Sequence, residues 1–147
     1  MKKIVLAIAI LATFQASQAC ELEGKSPEYL LAFIDNGGCI ADDDILVARF
    51  RSLLDMLSVA FPDQTRESIG DGIVTARKSM RERGISESLL KIAEGLNRAF
   101  IQNETGVRFK GAIVWYEYMR MRGLSHWEAV AQLLYPSTRR DLALKWK

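Results

Sequence analysis

The sequence predicts an all-α protein, and three observations carry that prediction. Apolar residues recur at spacings of three and four along several long stretches. No stretch alternates apolar and polar residues as a strand would. And one seven-residue phrase with the chemistry of a helix corner is written twice. Met80-Arg81-Glu82-Arg83-Gly84-Ile85-Ser86 returns as Met119-Arg120-Met121-Arg122-Gly123-Leu124-Ser125, 39 residues later. Basic residues occupy the last turn, where they favour the negative end of the helix dipole. Glycine can take the left-handed position just beyond, and an aliphatic residue folds back on the helix. The closing Ser is placed to cap the next helix, and Ser125 with Glu128 spells a capping box. Two such corners predict helical hairpins in a bundle of six or seven helices. A period of 39 residues lies in the range of helical-hairpin solenoids, but such stacks need about three repeats. No third copy precedes Met80, so shared corner chemistry accounts for the phrase better than duplication.

The first 19 residues are set apart from this bundle. Lys2 and Lys3 precede an apolar run from Ile4 to Phe14, and Ser17-Gln18-Ala19 places small residues at −3 and −1. That is the pattern of a secretory signal peptide, too short to be a spanning helix. Cleavage after Ala19 would leave a single helical domain, residues 20–147, with no transmembrane segment and Cys20 at its start. A cysteine there also raises the alternative of a lipid anchor. Ser17 and Gln18 argue against one, because such signals place an aliphatic residue at −3 and a small one at −2. Cys20 and Cys39 are the only cysteines, and in an exported chain they are expected to form a disulfide.

The helices follow in order. Ser26-Pro27-Glu28 is a start signal, with a cap, Pro at the first position and an acid in the first turn. Tyr29, Leu30, Phe33 and Ile34 make its apolar side, and Asn36-Gly37-Gly38 ends it. Asp42-Asp43-Asp44 could suggest calcium, but the register from Asp35 puts Gly37 and Cys39 where oxygen ligands belong. The triplet reads instead as the cap and first turn of a second helix, Asp44 to Phe61. Leu46, Phe50, Leu53, Leu54, Leu57 and Phe61 stripe that helix and mark it as the central one, with Arg51 and Asp55 paired across a turn. A third helix runs from Thr65 to Arg83, with Gly70 and Gly72 costing about 1 kcal/mol each relative to Ala. A fourth runs from Ser86 to Gln102, and a fifth, rich in aromatics, from Val107 to Arg122. The sixth spans Ser125 to Tyr135, and a short last helix from Thr138 carries Leu142 and Trp146.

Charge is unevenly distributed. The net charge of +2 belongs to Lys2 and Lys3. Residues 21–71 hold 11 acids and 4 bases, whereas residues 72–147 hold 7 acids and 14 bases. The two halves are expected to neutralise each other in part. A basic face would suit an acidic partner, and nucleic acid is a poor candidate for an exported chain.

Catalysis has little material. The chain has one histidine, His126, which as the first residue after a cap is expected to be exposed. Neither a phosphate loop, a nucleophile elbow nor a zinc-binding His-Glu-x-x-His occurs, so no cofactor and no metal are expected. The two acids suited to general acid work are Glu104, in a loop, and Glu117, inside Trp115-Tyr116-Glu117-Tyr118; either would serve a cell-wall glycan hydrolase or lyase. The stronger expectation is a non-catalytic, exported protein, periplasmic or secreted, that binds another protein, as an adaptor, inhibitor or immunity-type partner does. Arg120 and Arg122 lie about 200° apart on the helix. Arg120 leans inward with Tyr116, while Arg122 follows Tyr118 by one turn. The expected partner surface is therefore Tyr118, Arg122 and Trp127.

Overall fold

The computed structural model describes residues 20–101, 103, 106–135, 137, 138 and 144. Among them lie six helices and no strand: α1 (Pro27–Asn36), α2 (Ile45–Ala60), α3 (Arg66–Glu82), α4 (Leu89–Phe100), α5 (Phe109–Met121) and α6 (His126–Leu134). The expected signal peptide, residues 1–19, falls outside the described residues, as do Leu142 and Trp146 of the expected last helix.

Most helices begin at the caps that their sequences offer. Asp44 Oδ1 accepts from the Leu46 N–H at 2.7 Å, and Thr65 Oγ1 accepts from the Ser68 N–H at 3.1 Å. Ser125 and Glu128 form the capping box, Oγ accepting from the Glu128 N–H and Oε2 from the Ser125 N–H. Gly84 and Gly123 are left-handed, at φ 77° and 91°. At each corner two backbone bonds close the helix: Ile85 and Leu124 N–H donate to the Met80 and Met119 carbonyls, and Gly84 and Gly123 N–H to those of Arg81 and Arg120. That is the Schellman pattern the repeated phrase predicts.

The start of α4 departs from expectation. Its cap is Ser88, not Ser86, with Oγ accepting from the Lys91 N–H at 3.1 Å. The cause lies 54 residues away in sequence, where Asp35 accepts from the Leu89 N–H at 2.6 Å and the Leu90 N–H at 3.2 Å. A carboxylate from α1 thus satisfies two of the orphan donors of α4 and fixes where it begins. Asp35 also receives Arg77 of α3 at 3.0 Å, so one buried acid ties three helices together.

The helices form three pairs, α1–α2, α3–α4 and α5–α6. Within this set α1 packs on α3 and α3 on α5, while α2 packs on α4 and α4 on α6. Two rows result, and the middle pair touches both others. The helix expected to be central, α2, packs on α1, α3 and α4, whereas α4 packs on α1, α2, α3 and α6. The reason is that α4 lies between neighbours on both sides along its row.

Glycines on the middle pair set how close the third pair comes. A Cβ on Gly72 of α3 would lie 2.5 Å from Cε1 of Phe109 on α5. One on Gly95 of α4 would lie 2.7 Å from Val130 Cγ2 and 2.8 Å from His126 Cε1, both on α6. Only glycine admits those approaches. Phe109 in turn packs edge-on against Phe61, at the end of α2, which meets Phe100 of α4, so an aromatic cluster joins all three pairs.

Two polar residues expected at helix starts are buried: Glu28 and His126. Glu28 holds Arg51 at 3.1 Å and Arg66 at 3.0 Å, and Arg66 also reaches Asp55 at 3.1 Å. The expected pair within α2, Arg51 with Asp55, is replaced by this network, because a buried carboxylate needs the nearby cations more than an exposed Asp does. Cys20 and Cys39 stand with Cα atoms 5.7 Å apart, at disulfide distance. Beside them, Tyr29 donates its hydroxyl to the Ile40 carbonyl at 3.0 Å, and Lys25 pairs with Asp42 at 2.7 Å.

Candidate functional site: the outer face of α4 and α6

Helix α6 is apolar on two sides. Ala129, Val130 and Leu133 face the core, together with His126. Trp127, Leu134 and Tyr135 remain exposed, Trp127 at 54%. Trp127, Val130, Ala131 and Leu134 recur at helical spacing and, with Arg98 from α4, line an open groove of about 340 Å³. The Arg98 guanidinium sits 5.3 Å from the centre of the Trp127 ring, a cation–π distance. On its other side the indole meets His126 edge-on at 4.5 Å. The exposed Trp is thus held in place by its neighbours, as a rigid binding anchor must be.

The other two residues of the expected surface pair with each other across the α5 C-terminus. Arg122 Nη1 donates to the Tyr118 hydroxyl at 3.0 Å, and its guanidinium lies 5.8 Å from the ring centre. The Trp115 ring packs 5.5 Å from that of Tyr118. Tyr118 and Arg122 are both exposed. Trp127 takes its ring contacts from Arg98 and His126. The sequence offered no signal for Arg98, because only the packing of α4 on α6 brings it there.

Behind this face lies a buried polar cluster. Arg120 leans inward as expected: Nη1 donates to the Leu124 carbonyl at 2.6 Å and Nη2 to Glu87 Oε2 at 3.0 Å. Lys91 approaches Glu87 at 3.5 Å. The Tyr116 hydroxyl shares a proton with His126 Nδ1 at 2.8 Å, and Glu87 Oε2 stands 4.0 Å from the same nitrogen. Burial, followed by the Glu87 charge, pushes the Tyr116 hydroxyl well above its ordinary range. Burial also pushes His126 below its ordinary value, against the opposite pull of Glu87. His126 is therefore a neutral core residue rather than an exposed helix start. Its Nε2 is buried with no hydrogen-bond partner, and a Cβ on Gly95 would lie 3.2 Å from it. The cluster joins α4, α5 and α6.

The two acids considered for catalysis are differently placed. Glu117 is half-buried and accepts a hydrogen bond from Ser79 Oγ on α3. It lines neither the Trp127 groove nor the groove between α1 and α3. Glu104 lies outside the described residues. No group of three or more His, Cys, Asp or Glu among the described residues is arranged to hold a metal ion. Comparison of the chain with protein-family models, with curated proteins and with solved structures finds no match to any of them.

Proposed function

We propose that the protein is an exported, periplasmic binding protein that acts without catalysis, by presenting the Trp127 face of α4 and α6 to another protein. The single observation that carries this reading is a half-exposed Trp, flanked by Arg98 and followed by exposed Leu134 on the same helix and Tyr135 just past its end. Trp, Tyr and Arg are the residues that dominate binding hot spots, because they offer large rigid contact area together with a directed polar group. Arg98 puts a cation in the lining of that groove, suited to an acidic partner, and Arg122 with Tyr118 adds a second exposed basic–aromatic pair at the end of α5. The signal-like first 19 residues support export, with residues 20–147 as the processed domain. The cysteine pair at disulfide distance fits an oxidising compartment. Among the described residues, no helix is long and apolar enough to cross a membrane.

A photo-crosslinking residue placed at Ala131 tests the reading in cells. A discrete adduct in the envelope fraction is expected, and it should vanish in both Trp127→Ala and Arg98→Glu while the melting temperature stays nearly constant. A crosslink that survives both substitutions would defeat the proposal. So would retention of the chain in the cytoplasm, or glycan cleavage by the purified protein that Glu117→Gln abolishes.

A further inference from the structure

The other row of the fold carries a groove of its own, between α1 and α3. It holds about 490 Å³ and is lined by Pro27, Leu30, Leu31 and Ile34 from α1 and by Glu67, Gly70, Asp71 and Val74 from α3. Phe33 also lines it, as do Leu22 and Lys25 ahead of α1; the other α1 residues and the α3 set follow the i, i+3, i+4, i+7 pattern of one helix face. Seven positions at about 1.5 Å rise make the groove about 10 Å long, or two helical turns. We propose that this groove docks an amphipathic helix of a partner protein that presents an apolar ridge and, at one end, two basic residues a turn apart.

Two independent observations lead there. The first is charge. Glu67 and Asp71 are exposed, one turn apart on the rim, and among the described residues neither is in an ion pair. The one cation lining the groove, Lys25, is already held by Asp42 at 2.7 Å. Of the cations on α3, Arg66 beside Glu67 is held by Glu28 and Asp55, and Arg77, Lys78 and Arg81 come only beyond Val74. The rim therefore asks for positive charge at the Glu67 end and repels an anionic lipid or an acidic peptide. The second is Gly70. Gly72 and Gly95 are demanded by side chains that would lie within 3 Å of a Cβ, but a Cβ on Gly70 would meet nothing nearer than Leu31 Cδ1 at 3.6 Å. That is ordinary contact. Packing leaves room for a Cβ there, and glycine weakens the helix by about 1 kcal/mol. What its missing side chain does is keep the groove floor low where a third helix would lie, and two packed helices offer a trough for such a helix. This site is separate from the Trp127 face, and its test does not depend on that face.

The probe is a synthetic, fluorescently labelled amphipathic peptide with Leu at i, i+4 and i+7 and two Lys one turn apart, titrated against the protein recovered after export. Saturable binding is expected, at least about tenfold tighter than for the same peptide with Glu in place of Lys. Gly70→Leu should abolish binding, whereas Trp127→Ala should leave it unchanged. The double charge reversal Glu67→Lys with Asp71→Lys lies on the exposed rim and should reverse the preference towards the Glu peptide, a gain that misfolding cannot imitate. Equal binding of the two peptides, or binding untouched by Gly70→Leu, would overturn the proposal. The same holds if neither peptide binds and the groove is instead closed by a second copy in a dimer that Gly70→Leu breaks, or by an uncharged acyl chain.

Discussion

His126 is the residue at which position in sequence and position in the fold part most sharply. At the first position of a helix, just after a cap, a side chain ordinarily faces water. Here Gly95 lets α6 close on α4, and the imidazole is trapped beneath the contact with Tyr116 as its partner. The same misreading applies to Glu28, a first-turn acid that other helices cover with Arg51 and Arg66. Neither burial was legible, because both depend on which helix crosses a helix start. The pH dependence follows from the direction of the His126 shift. Its folded-state pKa lies below the ordinary 6.5, chiefly through burial. A group depressed in this way contributes stability that is fully present above the unfolded value and is lost as pH falls from there through the folded value. The melting temperature should therefore drop more steeply between pH 6.5 and 5.5 in the natural protein than in His126→Gln, which cannot acquire the charge. Parallel curves would mean that the imidazole is accommodated in its charged form.

At the scale of the element, much was legible, and what was legible was local. The repeated corner phrase gives left-handed glycines and Schellman closures at both of its sites, and the apolar stripe of α2 is core from Phe50 to Phe61. Crossings between helices were not legible, because a glycine in a helix looks the same whether another helix touches it or not. Substitution by alanine separates the cases. Gly84→Ala and Gly123→Ala should each cost about 1 kcal/mol for placing a Cβ at positive φ. Gly95→Ala should cost about 1–3 kcal/mol through overpacking against Val130 and His126. Gly70→Ala should instead be neutral or stabilise by up to about 1 kcal/mol, since a Cβ there meets Leu31 only at ordinary contact distance. Chemical denaturation of the set gives this order, and a destabilised Gly70→Ala would show α1 and α3 to be closer than Leu31 indicates. Asp35 is the long-range counterpart. It caps α4 and holds Arg77 from a buried position, so Asp35→Ala leaves two amide donors and a mostly buried guanidinium unmatched. A loss of about 3 kcal/mol is expected, with hydrogen exchange accelerating first at Leu89 and Leu90. A variant that loses stability without that local signature would contradict the capping role.

The whole molecule is a short stack in which the middle pair does most of the joining. The third pair is fastened to it by two close glycine crossings, and the Phe61, Phe100 and Phe109 rings meet where the ends of α2 and α4 and the start of α5 come together. The first pair lacks a comparably tight crossing, since Leu31 approaches Gly70 only at ordinary contact distance, and α1 has just 10 residues. What holds that pair is the buried apolar stripe of α2, Phe50, Leu54 and Leu57, with α2 packed on α3 and α4; α1 itself adds polar ties, Asp35 to α4 and Glu28 to Arg66, and the clamp that the two cysteines can form around its ends. Cys20 precedes α1 and Cys39 follows it, 19 positions on. A bridge there restricts the unfolded chain and should contribute about 3 kcal/mol, as expected for a loop of that size. Because the bridge clamps α1 and touches neither α5 nor α6, a local loss is not shared equally along the stack. Reducing the bridge, or replacing both cysteines with serine, should therefore lower the melting temperature by about 10 °C. Hydrogen-exchange protection should fall in α1 while α5 and α6 keep theirs under native conditions. Protection lost evenly from α1 to α6 would show the stack to be a single cooperative unit, and an unchanged melting temperature would show that the cysteines do not bridge. The uneven outcome would also place the α1–α3 groove in the least stable third of the molecule, where docking of a partner helix adds the most order.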